Sequence, residues 1–206
     1  MAGIELPAPP RRADPKTFYC DYVPQLWAAF FGGMEVPDCR LTIGYAVTDA
    51  DGTSEFTLEV DGAALTVRAE PAEAPLVAFA CNHEAWRISV FDIWRRYVRF
   101  AQPKVEEARR KLPDFLHRNP PQPRLDAIAS LPGTLSVEFE DDAGDVAQYD
   151  ISVAGGNGPR GTLALSDADL WGLLRSRGRL SQLLRSRARL DGNVGWILKL
   201  ARALEP

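Results

Sequence analysis

The chain has 206 residues, of which 46% are hydrophobic and 25% charged, and a formal net charge of -4. That mixture belongs to a globular protein with enough apolar material to build a core, as one large or two small domains. A negative balance argues against nucleic acid as a partner, since phosphate binding draws on a basic surface, and no apolar run reaches the ~18 residues of a membrane span.

The segment Met1 to Asp14 places Pro7, Pro9 and Pro10 ahead of Arg11 and Arg12. A secretory signal has the opposite order, with charge before an apolar stretch. Residues 1–15 are therefore expected to form a flexible tail on a cytoplasmic protein. Apart from Lys16, Lys104, Lys111 and Lys199, all 24 cationic side chains are arginine, which reads as a GC-rich bacterial genome. Cys20, Cys39 and Cys81 form no CxxC pair, are odd in number and lie among apolar residues, as free thiols in a reducing compartment do. With His83 and His117 the only histidines, no zinc set assembles, and neither metal nor cofactor is expected.

Helical spacing begins at Thr17 and brings Trp27, Phe30 and Phe31 onto one face; Pro24 is expected to interrupt this helix and Gly32-Gly33 to end it. Alternation follows at Leu41, Ile43, Tyr45 and Val47, then at Phe56, Leu58 and Val60, then at Leu65 and Val67 beyond an Asp61-Gly62 turn. With Leu76 to Cys81 these segments predict a four-stranded antiparallel meander. Asn82 is suited to cap a helix with Trp86, Val90, Ile93, Trp94, Tyr97 and Ala101 on one face and Arg87, Asp92, Arg95, Arg96 and Arg99 mostly on the other. A shorter helix is predicted from Lys104 to Leu112. The proline-rich stretch from Pro113 to Pro123 is then expected to hold the domain linker, at residues 118–124.

The same plan recurs beyond it. Leu135, Val137 and Phe139 alternate, Asp141 to Gly144 turns, and Tyr149, Ile151 and Val153 alternate again; Leu163 and Leu165 form a short strand and Ser166 caps a helix. Phe56-Leu58-Val60 aligns with Tyr149-Ile151-Val153, and Cys81-Asn82-His83-Glu84 with Leu165-Ser166-Asp167-Ala168, so two degenerate tandem copies are expected. The second lacks a counterpart of the Leu65–Val67 strand.

The last residues carry a resemblance. A helix opens at Ser166-Asp167-Ala168-Asp169-Leu170 and closes at Gly178-Arg179-Leu180; a turn with Leu183 and Leu184, a strand Arg187 to Leu190, the turn Asp191-Gly192-Asn193 and a helix from Val194 to Leu200 follow. This order resembles the C-terminal part of sterol carrier protein type two domains, clearly over residues 125–206 and only in plan over the first copy, residues 16–117. The resemblance implies an α+β fold, with curved, mainly antiparallel sheets covered by helices, and an apolar tunnel for sterol, fatty acyl, phospholipid or quinone-like ligands. It supplies no catalytic residues, so the expected role is non-catalytic binding or transfer. The expected ligand-binding residues are Trp86, Trp94 and Tyr97 in the first copy and Leu170, Leu174, Leu184, Trp196, Ile197 and Leu200 in the second, with the terminal helix as a lid. The competing expectation is an interaction or dimerisation module whose pocket has filled in.

Other signals read as ordinary. Gly156 to Gly161 matches a dinucleotide fingerprint, but strand-like Thr162-Leu163-Ala164-Leu165 follows it where a helix is required, so it is expected to be a wide hairpin loop. Arg175, Arg177, Arg179, Arg185, Arg187 and Arg189 read as a solvated face; transient contact with anionic membrane lipid and a homodimer are left open. His83 beside Glu84 and Asp92 suits a helix start better than acid–base chemistry.

Overall fold

The computed structural model describes residues 5–10, 12–140, 144, 146–175 and 179–205, and within them all side chains but those of Asp92, Trp171, Leu173, Leu174 and Arg175. The chain is α+β. It builds one mixed sheet of eight strands: β1 (Arg40–Asp49), β2 (Gly52–Asp61), β3 (Ala64–Arg68), β4 (Val77–Asn82), β5 (Gly133–Glu140), β6 (Val146–Val153), β7 (Arg160–Ser166) and β8 (Arg189–Gly192), in the order β3-β2-β1-β4-β6-β5-β7-β8.

The strands form where side chains alternate, because a pleated strand sends successive residues to opposite faces. The β2–β3 turn uses Gly62 at a φ of 57°, a region glycine enters without a Cβ clash. The expected meander is corrected at its fourth strand, since β4 lies parallel to β1, with Tyr45 beside Phe79. Residues between β3 and β4 cross over to make that pairing, and Gly44 gives them room, its Cα side facing Ala72, Pro75 and Ala78. Likewise β7 pairs in parallel with β5, not with β6, so the glycine-rich residues 154–159 are a crossover and not a hairpin loop. The strands β2-β1-β4 and β6-β5-β7 thus have the same order and the same relative directions. β4 and β6 pair antiparallel, joining both halves into one sheet in place of two.

Helices α1 (Val23–Phe31), α2 (His83–Arg87), α3 (Arg95–Ala101), α4 (Val105–Arg118), α5 (Gln122–Ala129), α6 (Asp167–Arg175), α7 (Leu180–Arg187) and α8 (Val194–Leu204) accompany the sheet. Pro24 begins α1 instead of breaking it, because the first turn of a helix needs no N–H from that residue. The proline-rich stretch expected as a linker is mostly helical: α4 runs through Pro113, and α5 starts with Pro123 in its first turn. The strand expected from Arg187 lies two residues later, because α7 continues to Arg187. Asn82, Ser166 and Asn193 cap their helices, accepting from the backbone N–H groups of Ala85, Asp169 and Trp196 at 2.7, 3.2 and 3.0 Å. The Asp141 to Gly144 turn and the Gly178 position lie largely outside the described residues.

Of the residues expected as a flexible tail, several that the structure describes are instead anchored. Leu6 N–H donates to Gln102 Oε1 at 2.8 Å, the Tyr22 hydroxyl donates to the Pro7 carbonyl at 3.0 Å, and Pro9 and Pro15 are buried. Cys20, Cys39 and Cys81 are free thiols. Among the described residues no helix is long and apolar enough to cross a membrane.

Candidate functional site

Rows of paired residues cross the sheet and change character from one half to the other. One row reads Phe56, Tyr45, Phe79, Ile151, Leu135, Gly161, Gly192. Another reads Val67, Leu58, Ile43, Val77, Val153, Gly133. Side chains shrink along both, from aromatic or branched in the first half to glycine in the second. The glycines of the second half therefore admit large helical side chains onto the strands; over the first half α1 meets β3 and α2 meets β1 and β4, and the bulky side chains between them border open space.

Over the second half, α8 seats Trp196 and Ile197 directly on the glycines. A Cβ at Gly133 would come within 2.5 Å of Trp196 Cζ2, and one at Gly161 within 2.7 Å of Ile197 Cδ1. Trp196 Nε1 donates to the Leu131 carbonyl at 3.2 Å, so the ring is both packed and hydrogen-bonded. With Leu184, Leu135, Leu163 and Leu165 these residues form a closed apolar cluster.

Over the first half the layers part around a cavity of about 650 Å³. Its floor is the sheet: Ile43 and Tyr45 of β1, Leu58 and Val60 of β2, Leu65 of β3, Phe79 of β4, and Val137, Tyr149 and Ile151 from β5 and β6. Its roof comes from α1 and α3 and from two π-helical segments, Thr17–Tyr22 and Ile88–Trp94, which contribute Phe18, Tyr19, Ser89, Val90 and Trp94. π-helical turns are rare and cluster at functional sites, because the extra residue per turn displaces side chains from helical register. Trp27 fixes α1 over the β2–β3 turn by donating to the Ala63 carbonyl at 2.7 Å.

Among the described residues the lining contains no Lys, Arg, His, Asp, Glu or Cys. Its polar atoms are tyrosine hydroxyls, the Ser89 hydroxyl and indole N–H groups. Tyr19 and Tyr45 lie with ring centroids 4.7 Å apart, and Tyr45 stacks on Phe79 at 4.8 Å. Tyr149 donates to the Ala85 carbonyl at 2.6 Å. Burial pushes the Tyr45 phenol up to about 12 and raises Tyr19 and Tyr149 well above their ordinary range; it also lifts the Cys81 thiol to about 11. Trp86 and Trp94 have buried indole N–H groups with no hydrogen-bond acceptor. They lie beside the Tyr19 and Tyr22 oxygens, close enough to ease phenolate formation slightly, but outside hydrogen-bond geometry.

Of the residues expected to contact ligand, Trp86, Trp94 and Tyr97 line this cavity. Leu184, Trp196, Ile197 and Leu200 do not; they belong to the closed cluster, so α8 is a core element and not a lid. Leu170 packs against a small group around Ala85, Ile88 and Phe139, and the Leu174 side chain lies outside those described. Leu6, Tyr19 and Tyr45 went unrecognised in the sequence. Bulky aromatics at alternating strand positions, against glycines at matching positions of the other half, were the available signal for the two tyrosines. Among the described residues no cluster of His, Cys, Asp and Glu suits a metal ion.

Compared with known families and characterised proteins, the chain matches no family model and no curated sequence.

Proposed function

We propose that the chain binds or carries an apolar small molecule in the first-half cavity, without catalysing a reaction. The observation that carries this reading is the cavity itself: about 650 Å³, the size of ordinary small-molecule sites, with an almost wholly apolar lining. A void of that size in a protein otherwise packed to crystal-like density forfeits dispersion contacts, a loss that a ligand would offset. The described lining residues offer no base, no nucleophilic thiol and no charged group, which supports binding in preference to catalysis.

The likeness to sterol carrier domains extends this proposal. The matching triplets β2-β1-β4 and β6-β5-β7 support two copies of one plan, the first with an extra edge strand β3 and the second with β8 and α8. On this reading one copy keeps the tunnel and the other has filled it, becoming the rigid partner that walls the first with Val137, Tyr149 and Ile151.

The test is titration with fatty acyl, sterol and quinone analogues, read by tryptophan fluorescence and by melting. Trp27, Trp86 and Trp94 line the cavity, so emission should change on filling. Ligand at a hundred times its dissociation constant should stabilise the protein by about 2.7 kcal/mol. Unchanged emission and unchanged melting with every class would overturn the proposal.

A further inference from the structure

The cavity is apolar but not featureless, and two of its tyrosines lie together. Tyr19 is 6% exposed and Tyr45 half-buried, their rings side by side on the cavity wall. Neither hydroxyl makes a hydrogen bond to another described residue, whereas the neighbouring Tyr149 hydroxyl is committed to the Ala85 carbonyl. The Tyr19 and Tyr45 hydroxyl oxygens are not among the sealed, partnerless polar atoms, so both keep surface open to a partner, and covering them with a ligand that offers no acceptor would cost about 1–3 kcal/mol each. The Trp86 indole N–H beside Tyr19, itself unpaired, faces the Tyr19 oxygen and leaves the phenol proton free to point elsewhere. Two O–H donors thus border a chamber whose described lining residues include no cation and no carboxylate.

Resting on the binding reading above, we propose that the ligand is a neutral lipid with an oxygen acceptor, such as a ketone, aldehyde or ester, seated against the Tyr19 and Tyr45 hydroxyls. An ionised fatty acid is excluded by the same lining. Transferring a carboxylate out of water without a cation partner is far more costly than transferring a carbonyl, which needs only one or two hydrogen bonds to offset its lost hydration. Burial holds both phenols in the neutral, donating form, which a carbonyl acceptor can use; a carboxylate would accept from them too, but two neutral donors do not offset the loss of its hydration.

The experiment compares dodecane, 2-dodecanone and dodecanoate at pH 8 by tryptophan fluorescence, on the wild-type chain and on the double variant Tyr19→Phe/Tyr45→Phe. The substitution removes two oxygens and leaves both rings. The ketone should bind about tenfold or more weaker to the variant, the loss expected for its hydrogen bonds, while dodecane changes less than twofold. Dodecanoate should bind the wild type at least a hundredfold more weakly than the ketone. If the variant weakens ketone and alkane alike, or leaves both unchanged, the tyrosines do not read an acceptor and the inference fails. Equal binding of dodecanoate and ketone would also sink it. Should dodecane itself not bind, the cavity reading fails as well, so the two failures are separable.

Discussion

The two halves of the sheet carry the same strand order and opposite interiors. Across the second half, glycines at 133 and 161 let α8 rest on the strands, and Trp196 and Ile197 fill the space completely. Across the first half, Tyr45, Phe56 and Phe79 occupy the corresponding row, and Tyr45 and Phe79 border a chamber. One backbone plan therefore yields a solid core or a pocket according to side-chain size at a few paired positions. The pocket is also where the helical register breaks, in the two π segments, and where polar donors go unmatched.

Truncation in the filled half should have the largest effect. Trp196 is 5% exposed and lies against Gly133. Trp196→Ala should cost about 3–5 kcal/mol in denaturant unfolding, the range for a buried aromatic, with ligand affinity of the surviving folded fraction unchanged. A small stability loss coupled to weaker binding would place the ring at a cavity edge and erase the contrast between the halves.

Alkaline pH should act on the other half. Tyr45 ionises near 10 when unfolded and near 12 when folded, and Cys81 moves from 9 to about 11. Both pKa values are raised by folding, so the native state holds these protons more tightly. Their contribution is fully present below pH 9–10 and is lost as pH rises through about 11–12. For Tyr45 it amounts to at most about 3 kcal/mol, and to less if water enters the cavity. Unfolding free energy should be level to about pH 9 and fall beyond it, with a shallower fall in Tyr45→Phe. Identical profiles for the two proteins would show that Tyr45 already meets bulk water.

What the sequence disclosed follows from the range of each interaction. Strands β1, β2 and β6 and the caps at Asn82 and Ser166 depend on neighbouring residues, and alternation or a capping side chain declares them. Helix α8 was legible for the same reason from Val194 to Leu200, and it continues to Leu204. The parallel pairing of β1 with β4 was not, because a crossover is decided by packing between residues more than thirty apart. Neither was the place of Leu6 at the cavity, where Gln102 holds the Leu6 backbone and Tyr22 that of Pro7. The site residues divide on the same line. Trp86, Trp94 and Tyr97 share a helical face, whereas the fate of Trp196 was decided by a glycine sixty-three positions away.

Adding atoms provides the finest discrimination between the halves, since the same operation should be costly in one and nearly free in the other. At Gly133 a single methyl would lie 2.5 Å from Trp196 Cζ2 and 2.7 Å from the Pro159 carbonyl oxygen. The oxygen is backbone and cannot rotate aside, so Gly133→Ala should destabilise by about 1–3 kcal/mol, as overpacking does. Ile43, by contrast, stands on the cavity floor, flanked by Leu58 and Val77 on its neighbouring strands and with open space above it. Ile43→Trp introduces several heavy atoms there, and its indole can extend into the void without displacing the roof. Its unfolding free energy should therefore stay within about 1 kcal/mol of the wild type, because the gained apolar contact offsets the rotamer restriction. Ligand binding should be lost or weakened at least tenfold, since the indole occupies volume the ligand needs. Were Ile43→Trp to destabilise as much as Gly133→Ala, the first half would be as closely packed as the second, and the chamber would not exist in solution.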